Sequence, residues 1–254
     1  MAQVVVFTSP KGGSGATFAC ALTGLMLAES SKRVLALDMC FDRCTLDFAL
    51  GFQNEYIYTL ADVLNGDATL EEAVCTGRVD FLRSDYEDGT FPCEKAMEVL
   101  RETDYDFILI DTQSFNKEFV QKLCAFSDKT IVVTDCTPVS SKIVQAFTDS
   151  LEDTDNIFVL INKIVPYYIR DGVHLTADDV IDSAGYPLLG LIPWDCSSQF
   201  VTAETFGITN EFPALKEAFS NIAHRLLDKK VPACDIEQFF KSGITYKYFM
   251  KGRK

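Results

Sequence analysis

The stretch from Val4 to Thr17 constrains this chain more than any other. Val4-Val5-Val6-Phe7 is a short apolar strand, and Lys11-Gly12-Gly13-Ser14-Gly15-Ala16-Thr17 leads from it into a helix of small and apolar residues, Phe18 to Glu29. Three glycines in four positions let the backbone curl, so that successive N–H groups point into one concavity at the positive end of the helix. Such a nest suits a phosphate. The generic phosphate-loop pattern asks for Gly, four residues, then Gly-Lys-Ser/Thr. This sequence departs from it twice, with Pro10 at the first Gly and Ala16 at the Lys, while a different lysine, Lys11, stands at the front edge of the loop.

Apolar runs ending in a polar residue recur along the chain. Arg33 to Asp38 ends in an acid, Asp104 to Thr112 reaches Asp111, and Thr130 to Asp135 is followed by Thr137-Pro138-Val139-Ser140-Ser141, which opens a helix. Ile157 to Lys163 then reaches Asn162, and Leu188 to Asp195 carries Gly190 and Pro193. Residues 52–104 read as mostly helical, with helices at Thr59–Leu64 and Leu70–Val74 and a short strand from Val79 to Arg83. Strands alternating with helices in one chain of 254 residues predict a single α/β domain with a mostly parallel sheet and helices on both faces. A carboxylate at the C-terminal end of such a strand sits where open parallel sheets bind ligands.

Charge and cysteines narrow the function. Thirty-seven acids against 23 bases give a net charge of −14, which argues against a broad electrostatic grip on nucleic acid. The nine cysteines follow no disulfide rhythm and no Cys-x-x-Cys occurs, so they read as reduced thiols. Cys40 and Cys44 are four apart and would need two further ligands to hold a metal. With no apolar run near a membrane-spanning length and no positively charged leader at Met1-Ala2-Gln3, the expectation is a soluble, cytoplasmic protein. His174 and His224 lack partner spacing, and Trp194 reads as a pocket wall or surface aromatic.

The loop resembles the deviant phosphate loop of the MinD/ParA ATPases, Lys-Gly-Gly-any-Gly-Lys-Thr, and the strand ends at Asp38, Asp111, Asn162 and Pro193 follow in that family's order. The resemblance covers about Gln3 to Leu227 and implies the P-loop NTPase fold with ATP and Mg²⁺ as cofactors. It implies that Gly12, Gly13, Ser14, Gly15, Ala16, Thr17 and Phe18 surround the phosphates, and that Thr17 and Asp111 hold Mg²⁺. Asn162 would read the adenine edge, with Pro193 and Asp195 lining the base pocket. Lys11 would cross a nucleotide-sandwich homodimer to the partner's phosphates. In the family the second strand ends in Asp-any-Asp; here the first acid is Asp38, the second position is Cys40, and Asp42 is a candidate substitute. Gln113 and Ser114 replace the usual residues after Asp111.

Within the family, Gly-Ala-Thr in place of Gly-Lys-Thr is similar to the CpaE/TadZ branch, which localises pilus-assembly machinery. The implied function is a nucleotide-dependent dimer that positions a protein partner in a localised assembly, with slow or absent Mg²⁺-dependent hydrolysis, because Ala16 and Cys40 remove groups that act on the transition state. Two rivals share the fold: a bacterial tyrosine autokinase, suggested by Tyr246 and Tyr248, and a DNA-binding partition ATPase, disfavoured by charge. Residues 241–254 form a basic aromatic tail, set apart from a nucleotide-binding domain over 1–240, with five bases and no acid. Ile244, Tyr246, Tyr248 and Met250 alternate at period two, with Phe249 the exception, which suits an extended segment. Docking on its own body or the dimer edge ranks first, and peripheral contact with the inner membrane face second.

Overall fold

The structure is a computed structural model that describes residues 1–40, 45–52, 56–86, 90–112, 117–151, 155–195, 202, 205–206 and 212–237. Asp42, Cys44, Gln113, Ser114 and the tail with Tyr246 and Tyr248 lie outside them. The strands are β1 (Gln3–Thr8), β2 (Val34–Asp38), β3 (Asp80–Arg83), β4 (Phe107–Thr112), β5 (Lys129–Thr134), β6 (Ile157–Ile164) and β7 (Leu188–Pro193). They form one seven-stranded sheet in the order β3-β2-β4-β1-β5-β6-β7. Every pairing is parallel. The chain leaves β1 toward one edge, returns to lie beside it as β4, and then fills the other side from β5 outward. The strand order therefore reverses around β1, and the crevice at its C-terminal end is where such sheets bind ligands.

The connecting helices are α1 (Ala16–Glu29), α2 (Leu46–Leu50), α3 (Leu60–Asn65), α4 (Leu70–Ala73), α5 (Cys93–Arg101), α6 (Lys117–Phe126), α7 (Pro138–Thr148), α8 (Pro166–Arg170), α9 (Ala177–Ala184) and α10 (Pro213–Leu226). Alternate residues of the strands feed two cores, as the period of a strand requires. Val5, Phe7, Ala36 and Leu109 pack with α1 and α10 on one face, whereas Val4, Val6, Leu35, Leu37, Ile108 and Ile110 pack with α3 and α5 on the other. Burial on both faces is why these strands read as near-continuous apolar runs. Helix α1 is buried from Ala19 to Leu27, and its small residues let it lie close to the sheet: a Cβ on Gly24 would sit 3.2 Å from Leu109 Cδ1.

Local chemistry sets the helix ends. Thr69 accepts from Glu72 N–H while Glu72 accepts from Thr69 N–H, closing a capping box on α4. Thr137 caps α7 with Pro138 at its first position. Gly66 ends α3 at φ +85°, as the Asn65-Gly66 turn predicts. The expected strands and helices are present, with ends displaced by up to three residues, but the described part of 52–104 is not mostly helical: α3, α4 and α5 are short, Gly66 stopping α3 in a left-handed turn and Pro92 standing before α5, with turns and loops between them; β5 stops at Thr134, leaving Asp135 just beyond it. Among the described residues Cys20, Cys40, Cys75, Cys93, Cys124, Cys136 and Cys234 are not joined in disulfides, and no helix is long and apolar enough to cross a membrane.

The last strand approaches the last helix closely where Gly190 faces Ile222. A Cβ at Gly190 would fall 2.6 Å from Ile222 Cγ1 and 3.4 Å from Leu160 Cδ1. Gly190→Ala is expected to lower stability by about 1–3 kcal/mol through overpacking, read as a lower urea midpoint at unchanged slope. A midpoint equal to that of the natural protein would contradict the packing of α10 on β7.

Candidate nucleotide and metal site

The loop between β1 and α1 is wound by two glycines in left-handed conformations, Gly13 at φ +78° and Gly15 at φ +93°. Gly15 is required twice over, because a Cβ there would also lie 2.4 Å from Asn162 Nδ2. Ser9 braces the entry, its Oγ accepting from Lys11 N–H at 3.2 Å and donating to Lys11 C=O at 3.0 Å. Gly15 stands as the N-cap of α1 with no side chain to satisfy the first N–H groups. Those donors are available to an anion. Ala16 is fully buried, and Phe18 turns its ring edge-on to Phe219 of α10 at 5.7 Å, so what Phe18 offers the loop is its backbone.

Asp38 and Asp111 are register partners on adjacent strands β2 and β4, and both are buried. Asp38 accepts from Cys40 N–H at 2.9 Å and Leu46 N–H at 3.2 Å. Burial nevertheless pushes its carboxyl up to about 6. Asp111 is pushed up further, to about 7, by burial and by the charge of Asp38, against hydrogen bonds from Thr17 and Cys40. Asp111 Oδ1 is buried and accepts no hydrogen bond. An ionisable oxygen left without a partner beside a second acid and a loop hydroxyl fits a cation, and Thr17 with Asp111 are the residues that would hold Mg²⁺.

Lys11 does not point outward. Its Nζ lies 2.9 Å from Asp135 Oδ2 and 2.6 Å from Ser140 Oγ. Burial of Asp135 is outweighed by hydrogen bonds from Ser140, Thr137 and Lys11, which hold its carboxyl at about 2. On the other side of the loop, Asn162 Nδ2 donates to Ser14 C=O at 2.9 Å and its Oδ1 accepts from Lys163 N–H at 2.8 Å. Lys163 takes φ +58° at an irregularity between β6 and β7, and this bulge sends its Nζ to Gly13 C=O and over the Trp194 ring, 5.6 Å from the centroid. Pro193 ends β7, Trp194 N–H donates to Ile164 C=O at 2.9 Å, and Asp195 is half-buried beside them.

The structure thus gathers Lys11 to Phe18, Asp38, Asp111 and Asn162 around one loop, with Pro193 and Asp195 at its β7 side. Sequence reasoning missed three participants, Asp135, Ser140 and Lys163. Asp135 carried a usable signal, being an acid just past a buried strand like Asp38 and Asp111. Lys163 carried none, since nothing in the sequence marks its left-handed backbone. The His174 ring lies tilted against Tyr168, 5.0 Å between centroids.

A seven-stranded parallel sheet with a glycine loop feeding a central helix beside two acid-tipped strands is the P-loop NTPase class of α/β fold. A family model described as "AAA domain" matches residues 2–163. The septum site-determining protein MinD of Synechocystis is 28% identical over 250 residues, covering 92% of this chain and 93% of that protein. The MinC:MinD cell division protein complex of Aquifex aeolicus superposes with a TM-score of 0.79 at 28% identity, over 91% of this chain and 98% of that one. MinD of Pyrococcus horikoshii, solved with Mg-ADP, has the same fold, with a TM-score of 0.67 at 24% identity over 89% of this chain and 96% of that one. The chain belongs to this family, the MinD/ParA-type P-loop ATPases.

The buried acids give a pH dependence whose sign follows from their shifts. A carboxyl raised from 3.8 to about 7 binds its proton more tightly folded than unfolded. Stability of the metal-free protein is therefore fullest below the unfolded value and falls as pH rises toward 7. Asp111→Asn, measured with chelator present, should flatten that fall and be more stable than the natural protein at pH 8 by roughly 1–3 kcal/mol, with little difference near pH 4. Equal stability at pH 8 would contradict the electrostatic account of the pair.

Proposed function

We propose that this protein is an ATP- and Mg²⁺-binding molecular positioner of the CpaE/TadZ type: a slow ATPase that dimerises on nucleotide and places a protein partner in a localised assembly. The observation that carries the reading is the placement of Thr17 on Asp111 by a glycine loop whose own lysine position holds Ala16. Loop N–H groups and the start of α1 would take the phosphates. Mg²⁺, when bound, would offset phosphate charge; Thr17 and Asp111 orient it and Asp38 supports them through the β2–β4 register. Lys11 would leave Asp135 and Ser140 to meet the partner's phosphates, since one ammonium cannot hold both. The relative solved with MinC supports a protein partner. We place the protein in the cytoplasm, with the tail from Lys241 docking on the body or dimer edge before any membrane.

Sedimentation of the full chain with ATP and Mg²⁺ should show a dimer, with ADP a monomer, and Lys11→Ala should remain monomeric with ATP. Monomers in all conditions, or an unaffected Lys11→Ala dimer, would remove the sandwich from this account.

Hydrolysis should be slow for a stated reason. Ala16 leaves the β/γ-phosphates without the loop cation, and Cys40 offers a weak acceptor where an acid would orient water. Restoring both groups, as Ala16→Lys with Cys40→Asp, should raise turnover at least about a hundredfold, since one well-placed charge alone is worth roughly 3 kcal/mol in the barrier. The variant is first shown to be folded by its melting transition. A natural protein that already turns over as fast as that variant would refute the explanation.

A further inference from the structure

Cys40 does more than vacate the second acid position. It stands in the same cluster as both acids: Asp38, Cys40 and Asp111 each present one ligand atom, and these atoms all lie within 4.8 Å of one another in a buried setting. The thiol lies 3.5 Å from Asp111 Oδ2 and 3.8 Å from Asp111 C=O. Its backbone is fixed to the first acid, since Cys40 N–H donates to Asp38 Oδ1 at 2.9 Å. Independently of the thiol, Asp111 Oδ1 is buried without a hydrogen-bond partner.

We propose that Asp38, Cys40 and Asp111 form a mixed thiolate and carboxylate site that binds a thiophilic divalent cation, Zn²⁺ or Co²⁺, in the absence of nucleotide. Bond lengths decide between ions. Zinc bonds of roughly 2.3 Å to sulfur and 2.1 Å to oxygen at a tetrahedral angle put the two ligand atoms about 3.6 Å apart, and the Cys40 Sγ to Asp111 Oδ2 separation is 3.5 Å. Mg²⁺ at about 2.1 Å in octahedral geometry sets neighbouring ligands about 3.0 Å apart and takes oxygen, so the thiol is badly placed and badly matched for it. The Thr17 side chain, hydrogen-bonded to Asp111, or a water completes four ligands. On binding, the S–H bond breaks, its proton passes to solvent, and the sulfur–metal bond forms; nothing is oxidised or reduced.

The consequence is competition. A thiophilic ion held here occupies Asp111, the acid that the proposed function gives to Mg²⁺, so such an ion and the Mg²⁺-nucleotide complex exclude one another. Replacing an acid by cysteine would then make the nucleotide cycle responsive to zinc rather than only slower. This inference rests on the reading of Asp111 as an ion-holding acid, and it is tested without nucleotide so that the two fail separately.

The test uses the full chain, reduced and freed of metal by chelation, titrated with Co²⁺ and followed by absorption. The expected result is a thiolate-to-cobalt charge-transfer band with the strong visible bands of four-coordinate cobalt, saturating at one equivalent, erased by Zn²⁺ and unchanged by excess Mg²⁺. The band should be absent in Cys40→Ser and Asp111→Asn and retained in Cys93→Ser, which removes a buried thiol at the start of α5 that is not part of the cluster. X-ray absorption of the Zn²⁺-loaded natural chain should show one sulfur neighbour, a readout that needs no variant to fold. An oxygen-only zinc environment, or a cobalt band that survives in Cys40→Ser, would overturn the proposal. If that occurs while Mg²⁺-dependent ATP binding is intact, only the thiolate site is lost.

Discussion

Two carboxyls that the sheet forces side by side govern this molecule. Parallel pairing of β2 with β4 puts Asp38 opposite Asp111, in a place where neither reaches water. Two negative groups in a buried, low-dielectric edge repel, and each loses hydration. The fold offsets part of that cost with the N–H groups of Cys40 and Leu46 on Asp38 and with the side chains of Thr17 and Cys40 on Asp111. What remains is a standing demand for positive charge at the mouth of the phosphate loop. A protein that only needed to be stable would place apolar residues here.

The rest of the architecture serves that edge. β1 lies at the centre of the sheet, where strand order reverses, and hands the chain to α1 through a loop that only glycine can wind at Gly13 and Gly15. The buried, small-residue face of α1 fixes the helix close to β4, which is what sets Thr17 against Asp111. On the far side, the irregularity at Lys163 ties β6 to the loop through Asn162 and Lys163 together. A single bulge therefore couples the strand expected to read the adenine edge with the loop expected to hold phosphate.

The fold was legible because its pattern is carried by burial. Strands covered on both faces are apolar throughout, and α1 is apolar all round, so the order of elements could be read directly. The acids at the ends of β2 and β4, Asp38 and Asp111, were legible for the same reason, as an abrupt charge after an apolar run. What escaped was side-chain direction. In the single chain Lys11 folds onto Asp135 and Ser140, a contact across more than a hundred residues that no local pattern encodes. The amide of Asn162 is bonded to the loop carbonyl of Ser14, a link between β6 and the loop that the sequence does not announce. Lys163 depends on a backbone conformation that its residue type does not reveal. The significance of Cys40 was seen only as a loss; its closeness to both acids needed the register of two strands and a turn.

The central claim is that the acid pair and the glycine loop form one cation-dependent nucleotide site. Calorimetric titration of the purified chain with ATP, with and without Mg²⁺, tests it most directly. The account predicts one nucleotide bound per chain with Mg²⁺ present, and much weaker binding when Mg²⁺ is chelated or Asp111 is changed to Asn. ATP binding of equal strength with and without Mg²⁺, or no ATP binding at all, would contradict it.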